Sequence, residues 1–86
     1  MPSSDVHAMR ALLSEQFAKS LIAAPPEIQR LFGKQLAHLL RDLHHPSLQA
    51  KKYDRTRWQA RVNGGWRFYF RLEPDTYILL DIIPHP

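Results

Sequence analysis

The sequence predicts an α+β domain of order β-α-α-β-β-β, an antiparallel sheet with a helical hairpin packed on one face, and three patterns predict it. First, Trp58, Ala60 and Val62 alternate with Arg57, Gln59 and Arg61, and Trp66, Phe68 and Phe70 alternate with Arg67, Tyr69 and Arg71. Period two on both sides of Asn63-Gly64-Gly65 reads as a β-hairpin. Second, Ile28, Leu31, Phe32, Leu36, Leu39, Leu40 and Leu43 recur at spacings of three and four between Pro26 and Leu43, which predicts an amphipathic helix. Third, Glu73-Pro74-Asp75 supplies turn residues before Thr76 to Ile83, a further strand.

Taken in order, the chain opens on a short polar stretch expected to be a flexible extension over residues 1–8. His7 to Ala24 has two readings. It can run as one helix, or Met9 to Leu13 can be a strand with Ser14 as N-cap of a helix carrying Phe17, Leu21 and Ile22 on one face. Pro25-Pro26 then breaks the chain, because Pro26 biases Pro25 away from helical geometry while suiting the first turn of a new helix. A short loop between two amphipathic helices implies an antiparallel pair. Pro46 cannot continue the second helix, so His44 to Leu48 ends it. In the last strand, Ile78, Leu80 and Ile82 share one face, and Tyr77, Leu79, Asp81 and Ile83 the other.

Eighty-six residues hold one core, so 1–86 is a single domain with a thin stability margin. The absence of cysteine excludes disulfides, thiolate nucleophiles and Cys-based metal sites, and fits a reducing cytoplasm. No apolar run approaches a membrane span, and no signal-peptide pattern opens the chain. No cofactor is implied, and His44-His45 is no metal pair, since adjacent side chains diverge.

Charge is concentrated in one place. The 21 residues from Lys51 to Arg71 carry seven of the twelve basic residues and the single acid Asp54, a net +6, while the remainder sums to −2. Such a window calls for a polyanion. Strand alternation gathers Arg61, Arg67, Tyr69 and Arg71 on the face turned away from the apolar one, so the free face of the sheet is expected to be basic.

Three stretches, "APPEIQRLFGKQLAHLL", "HPSLQAKKYD" and "WQARVNGGWRFYFRLEPDTYILLDIIPHP", occur in an order that resembles the RelE/ParE superfamily of small bacterial toxins from type II toxin-antitoxin modules. The likeness covers residues 9–86 and is most similar to the branch of cytotoxic translational repressors. It implies a strand near Met9 to Leu13. It also implies ribosome-dependent, metal-independent endoribonuclease activity, in which a ribose 2′-OH of mRNA attacks the adjacent phosphate. That reaction needs a proton acceptor, positive charge around the transition state and a proton donor to the 5′-oxygen.

The resemblance puts Arg61 on a basic position of the family's second strand and Arg67 on the arginine of its "YR" pair, here Trp66-Arg67, both as phosphate clamps. Gln59 stands where RelE has a lysine, and no arginine or tyrosine follows the last strand. His85 therefore takes part of the proton chemistry in this reading, with Tyr69 or Lys52 next in line. Lys51, Lys52, Arg57, Tyr69 and Arg71 are expected to contact RNA, while His45 caps the loop after the second helix. The implied partners are an acidic antitoxin encoded nearby and mRNA on the ribosome, in the cytoplasm. Two alternatives are a ParE-like inhibitor of DNA gyrase without nuclease activity, and an inert basic module that binds antitoxin or RNA.

Overall fold

A computed structural model describes residues 9–86, and the expected extension over 1–8 lies outside the described residues. The elements are β1 Arg10–Leu13, α1 Glu15–Ala23, α2 Pro26–Arg41, a 3-10 turn Pro46–Leu48, β2 Lys51–Lys52, β3 Trp58–Asn63, β4 Trp66–Leu72 and β5 Thr76–Pro84. They build a five-stranded sheet of order β1-β5-β4-β3-β2, with α1 lying along β5 and α2 over β3.

The α+β class is as predicted, but the sheet is mixed rather than wholly antiparallel. β1 runs parallel to β5, Arg10 facing Thr76 and Leu13 facing Leu79. The strands β3, β4 and β5 are joined by short turns and so must alternate in direction. β1 reaches them only through the helices, and no turn dictates its direction. What fixes it is Ser14, whose backbone N–H donates to Leu79 O at 3.0 Å and whose hydroxyl donates to Leu80 O at 3.1 Å. The same hydroxyl accepts from Phe17 N at 3.0 Å, which makes Ser14 the N-cap of α1 and decides the strand-or-helix question for the segment before it. β2, two residues pairing Lys51 with Gln59 and Lys52 with Trp58, is an addition to the expected order.

Along the chain the helices meet through Ala24-Pro25, with Pro26 in the first turn of α2, and Gln29 Nε2 ties the joint by donating to Ala24 O at 3.0 Å. Phe17 of α1, Phe32 of α2 and Phe68 of β4 stack in sequence, with centroids 5.0 and 5.2 Å apart. Phe70 extends this core toward Trp58 and Tyr77. Ile22, expected on the apolar face of α1, is 79% exposed, because the helix spends its buried face on Phe17 and Leu21.

The facing of β5 corrects the sequence reading. Tyr77 and Leu79 are buried while Ile78 and Leu80 are not, yet Ile82 is buried and Ile83 exposed, so neither predicted face keeps to one side along the whole strand. The cause is a bulge: Tyr69 faces Asp81 and Phe70 faces Leu79, so Leu80 is an extra residue that flips the alternation. A strict period of two cannot survive such an insertion.

One buried polar side chain sits among these residues. Gln35 is 6% exposed, donates from Nε2 to Arg61 O at 2.7 Å and to Ser47 O at 3.1 Å, and accepts from Ser47 Oγ at 3.1 Å. It thereby satisfies the edge of β3 beyond the end of β2. Gln35→Leu strands two carbonyls, and the expected cost is about 1–3 kcal/mol. At ~4–8 °C per kcal/mol for a domain of this size, a calorimetric melt resolves it; an unchanged melting temperature would contradict this role.

Candidate functional site

The hairpin turn is shaped by a side chain. Neither Gly64 nor Gly65 adopts a positive φ; instead Asn63 Oδ1 accepts from Gly65 N at 2.8 Å, an Asx turn, and Val62 is bulged out of register just before it. Arg67 completes the turn, donating from one guanidinium nitrogen to Asn63 O at 2.8 Å and Trp66 O at 3.1 Å. Sequence alternation presents Arg67 as a solvated platform residue, but it is half-buried and anchored.

Around this turn the open face is organised in rows. Arg61 of β3 faces Arg67 of β4, which faces Ile83 of β5; the next row is Gln59, Tyr69 and Asp81; Arg71 follows opposite Ile78. His85 N donates to Gly65 O at 2.7 Å, so the chain beyond β5 is held against the turn. The structure thus brings Arg61 and Arg67 to one end of the open face, with the His85 backbone held at the same end. Like charges directly opposite one another on a sheet are unfavourable by roughly 0.2–1 kcal/mol, a repulsion that an anion between Arg61 and Arg67 would relieve.

Lys51, Lys52 and Arg57 stand apart from these three, at the other end of β3. Lys51 and Lys52 are exposed on β2, and Lys52 Nζ donates to Arg55 O at 3.1 Å and lies 5.8 Å from the Trp58 ring centre. Arg57 is paired, with one guanidinium nitrogen 2.6 Å from Asp54 Oδ2 and Nε at 2.8 Å from the same oxygen. Its guanidinium carbon also lies over the Tyr53 ring, 4.9 Å from the ring centre. Arg71 leans toward Glu73 at 3.6 Å. Tyr69 lies between the two ends, its hydroxyl donating to Gln59 Oε1 at 3.2 Å and its ring meeting Tyr53 edge-on at 5.0 Å.

The Asp54–Arg57 pair fixes the loop before β3. The side-chain hydrogen bond from Arg57 is the main cause holding Asp54 at about 2, below its ordinary 3.8, with backbone N–H groups of Arg57 and Thr56 adding to it. A depressed carboxylate stabilises the fold above its unfolded pKa, and that stabilisation is lost as pH falls through the folded value. The loop is therefore expected to stay closed from neutral pH down to about 4 and to open as pH falls through 2. The carboxyl carbon resonance of Asp54 reports it directly: a midpoint near 3.8 in the intact protein would refute the clamp, and Arg57→Ala should move the midpoint up toward that value.

A groove of about 450 Å³ lies beside Arg61, lined among others by Lys34, Gln35, His38, His45 and Ser47. The His38 and His45 rings stack at 3.8 Å. Burial, then the charges of His45, Lys34 and Arg41, push the His38 imidazole below its usual value. His45 caps the 3-10 turn as expected, its Nδ1 accepting from Ser47 N at 3.2 Å. Among the described residues no three His, Cys, Asp or Glu side chains gather as metal ligands, and no helix is long and apolar enough to cross a membrane.

The fold recurs in solved structures. A chain of the archaeal RelE–RelB complex from Pyrococcus horikoshii OT3 superposes with a TM-score of 0.77 at 19% identity, over 90% of this chain and 94% of that one. The chain has the RelE toxin fold. The YoeB/ParE toxin from Agrobacterium tumefaciens shares the RelE fold at a TM-score of 0.74 and 9% identity, covering 91% of this chain and 100% of that one. A chain of the E. coli DinJ–YafQ toxin-antitoxin complex does so at 0.73 and 12%, over 91% and 93%. No protein-family model matches the sequence, and no curated protein matches it significantly.

On this RelE fold, sequence reasoning passes over Gln35, Tyr53 and Asp81. Gln35 has a legible signal, a polar residue three after Phe32 and four before Leu39 on the apolar stripe. Tyr53 and Asp81 have none, since the loop fold and the β5 bulge bring them to the open face.

Proposed function

We propose that this protein is the toxin of a type II toxin-antitoxin pair, acting as a ribosome-dependent endoribonuclease on mRNA. The observation that carries the reading is the cross-strand pairing of Arg61 with Arg67 on the open face, beside the turn that holds the His85 backbone. Two arginines opposite one another on neighbouring strands suit a phosphodiester, in the ground state and as charge builds on the phosphorane oxygens. In the proposed reaction the 2′-oxygen forms a bond to phosphorus, the bond from phosphorus to the 5′-oxygen breaks, and the products carry a 2′,3′-cyclic phosphate and a 5′-hydroxyl. The 2′-hydroxyl gives up its proton and the departing 5′-oxygen takes one up; His85 serves one of these transfers and solvent water the other. The anchoring of Arg67 by the turn carbonyls means that its position is set before RNA arrives, which is how positioning lowers a barrier.

The RelE–RelB and DinJ–YafQ structures are toxin-antitoxin complexes, and an acidic antitoxin is the partner proposed here. Its negative charge would cover the Lys51 to Arg71 window and oppose RNA binding there, so the complex is expected to weaken as salt rises.

The test is a reconstituted translation extract. Purified protein should arrest translation and leave mRNA cut on the ribosome, and His85→Gln should slow single-turnover cleavage by at least about 10²-fold with ribosome affinity retained. Arrest without any cut mRNA, or gyrase inhibition without RNA cleavage, overturns the nuclease reading. Wild-type cleavage rates for His85→Gln between pH 5.5 and 8 remove His85 from the chemistry.

A further inference from the structure

Next to the arginine row, on the same face, is a cavity of about 320 Å³ lined by Tyr53, Arg57, Tyr69, Leu80, Asp81 and Ile83. This is at the small end of the roughly 300–1,000 Å³ span of small-molecule pockets. Its walls differ in chemistry. Tyr53 and Tyr69 present two rings at 76° to one another, 5.0 Å apart, and Arg57, paired with Asp54, sits over the Tyr53 ring at 4.9 Å. Leu80 and Ile83 are apolar, and Ile83 is the residue opposite Arg67. At the end stands a carboxylate. Asp81 Oδ1 accepts from Ser20 Oγ at 2.6 Å and from Ile82 N at 2.9 Å, whereas Oδ2 has no hydrogen-bond partner among the described residues.

We propose that this cavity is a nucleobase pocket, seating the base next to the phosphate that Arg61 and Arg67 hold, and that Asp81 Oδ2 favours bases bearing an exocyclic amino group over uracil. The inference rests on the proposed RNA substrate and names the part of it that is read. Aromatic faces stack any base. Discrimination has to come from the polar end, where a carboxylate oxygen accepts from the amino group of guanine, adenine or cytosine. Against uracil, the same oxygen meets carbonyls flanking a single N–H. The β5 bulge is what makes this possible. Without the extra residue at Leu80, Asp81 would fall out of step with Tyr69 across the strands.

The test separates the pocket from the nuclease. The 5′-monophosphates of guanosine, adenosine, cytidine and uridine are titrated into the intact protein, following the ring resonances of Tyr53 and Tyr69, with inorganic phosphate as control. The expected result is that the three amino-bearing nucleotides shift both rings, that the uridine nucleotide binds at least about tenfold more weakly, and that phosphate alone leaves the rings unmoved. Tyr53→Leu should weaken binding by about five- to 150-fold, the range of one base stack. Asp81→Asn keeps an acceptor for Ser20 and Ile82 and should fold, and it should narrow the gap between guanosine and uridine nucleotides. Equal affinity for all four bases, a gap unchanged in Asp81→Asn, or shifts that spare both tyrosines overturns the pocket. A protein that shows the base preference but cuts no mRNA keeps the pocket and loses the nuclease; one that cuts mRNA at the same sites and affinity after Tyr53→Leu keeps the nuclease and loses the pocket.

Discussion

Arg67→Ala is expected to lower single-turnover mRNA cleavage by about 10²- to 10³-fold, the usual cost of removing one preorganised group that stabilises transition-state charge. Because a cation supports the phosphate before and during the reaction, RNA affinity should fall along with rate. The structure adds a second consequence. The guanidinium also bridges Asn63 O and Trp66 O, so its loss leaves the turn without that tie and should lower the melting temperature by several degrees. Arg67→Lys separates the two effects, since it retains the charge and loses the planar, pre-organised guanidinium, one nitrogen of which reaches both carbonyls. Partial cleavage with the same loss of stability is the expected outcome for lysine. A stable Arg67→Ala protein with undiminished cleavage would remove the arginine row from the mechanism.

Phe68→Ala should be the most damaging core substitution. Phe68 is fully buried, meets Phe32 edge-on at 5.2 Å and lies 5.9 Å from Phe70, so it joins the sheet to the helix layer. Truncating a buried phenylalanine costs about 3–5 kcal/mol, through lost burial and the cavity left behind. In an 86-residue domain that is a large part of the whole margin, and a fall of roughly 12–40 °C in the melting temperature follows. Urea unfolding followed by tryptophan emission gives the same quantity independently. A loss under about 1 kcal/mol would mean that the aromatic stack does not carry the core, contrary to the burial scale.

Much of this architecture is written locally. The alternation of Trp58 to Val62 and Trp66 to Arg71 places β3 and β4, and the three-four spacing from Ile28 to Leu39 places α2, because side-chain direction follows from backbone period alone. The arginine row is legible for the same reason. Ser14 is recognisable as a cap, yet that a strand and not a helix precedes it depends on hydrogen bonds to Leu79 and Leu80, some 65 residues away in the chain. The parallel course of β1 is decided there too.

Other features have no local cause. The bulge at Leu80 resets which side of β5 is buried, turning Tyr77 and Leu79 inward and setting Asp81 beside Tyr69. Arg57 looks like a free phosphate ligand in a basic window, but the loop folds it onto Asp54 and Tyr53. Sequence by itself determined the strand and helix periods, the charge window and the face on which Arg61 and Arg67 lie. Only tertiary structure decided which of those charges stay available and what cavity stands beside them, because pairing and bulging depend on contacts between residues that the chain order keeps apart.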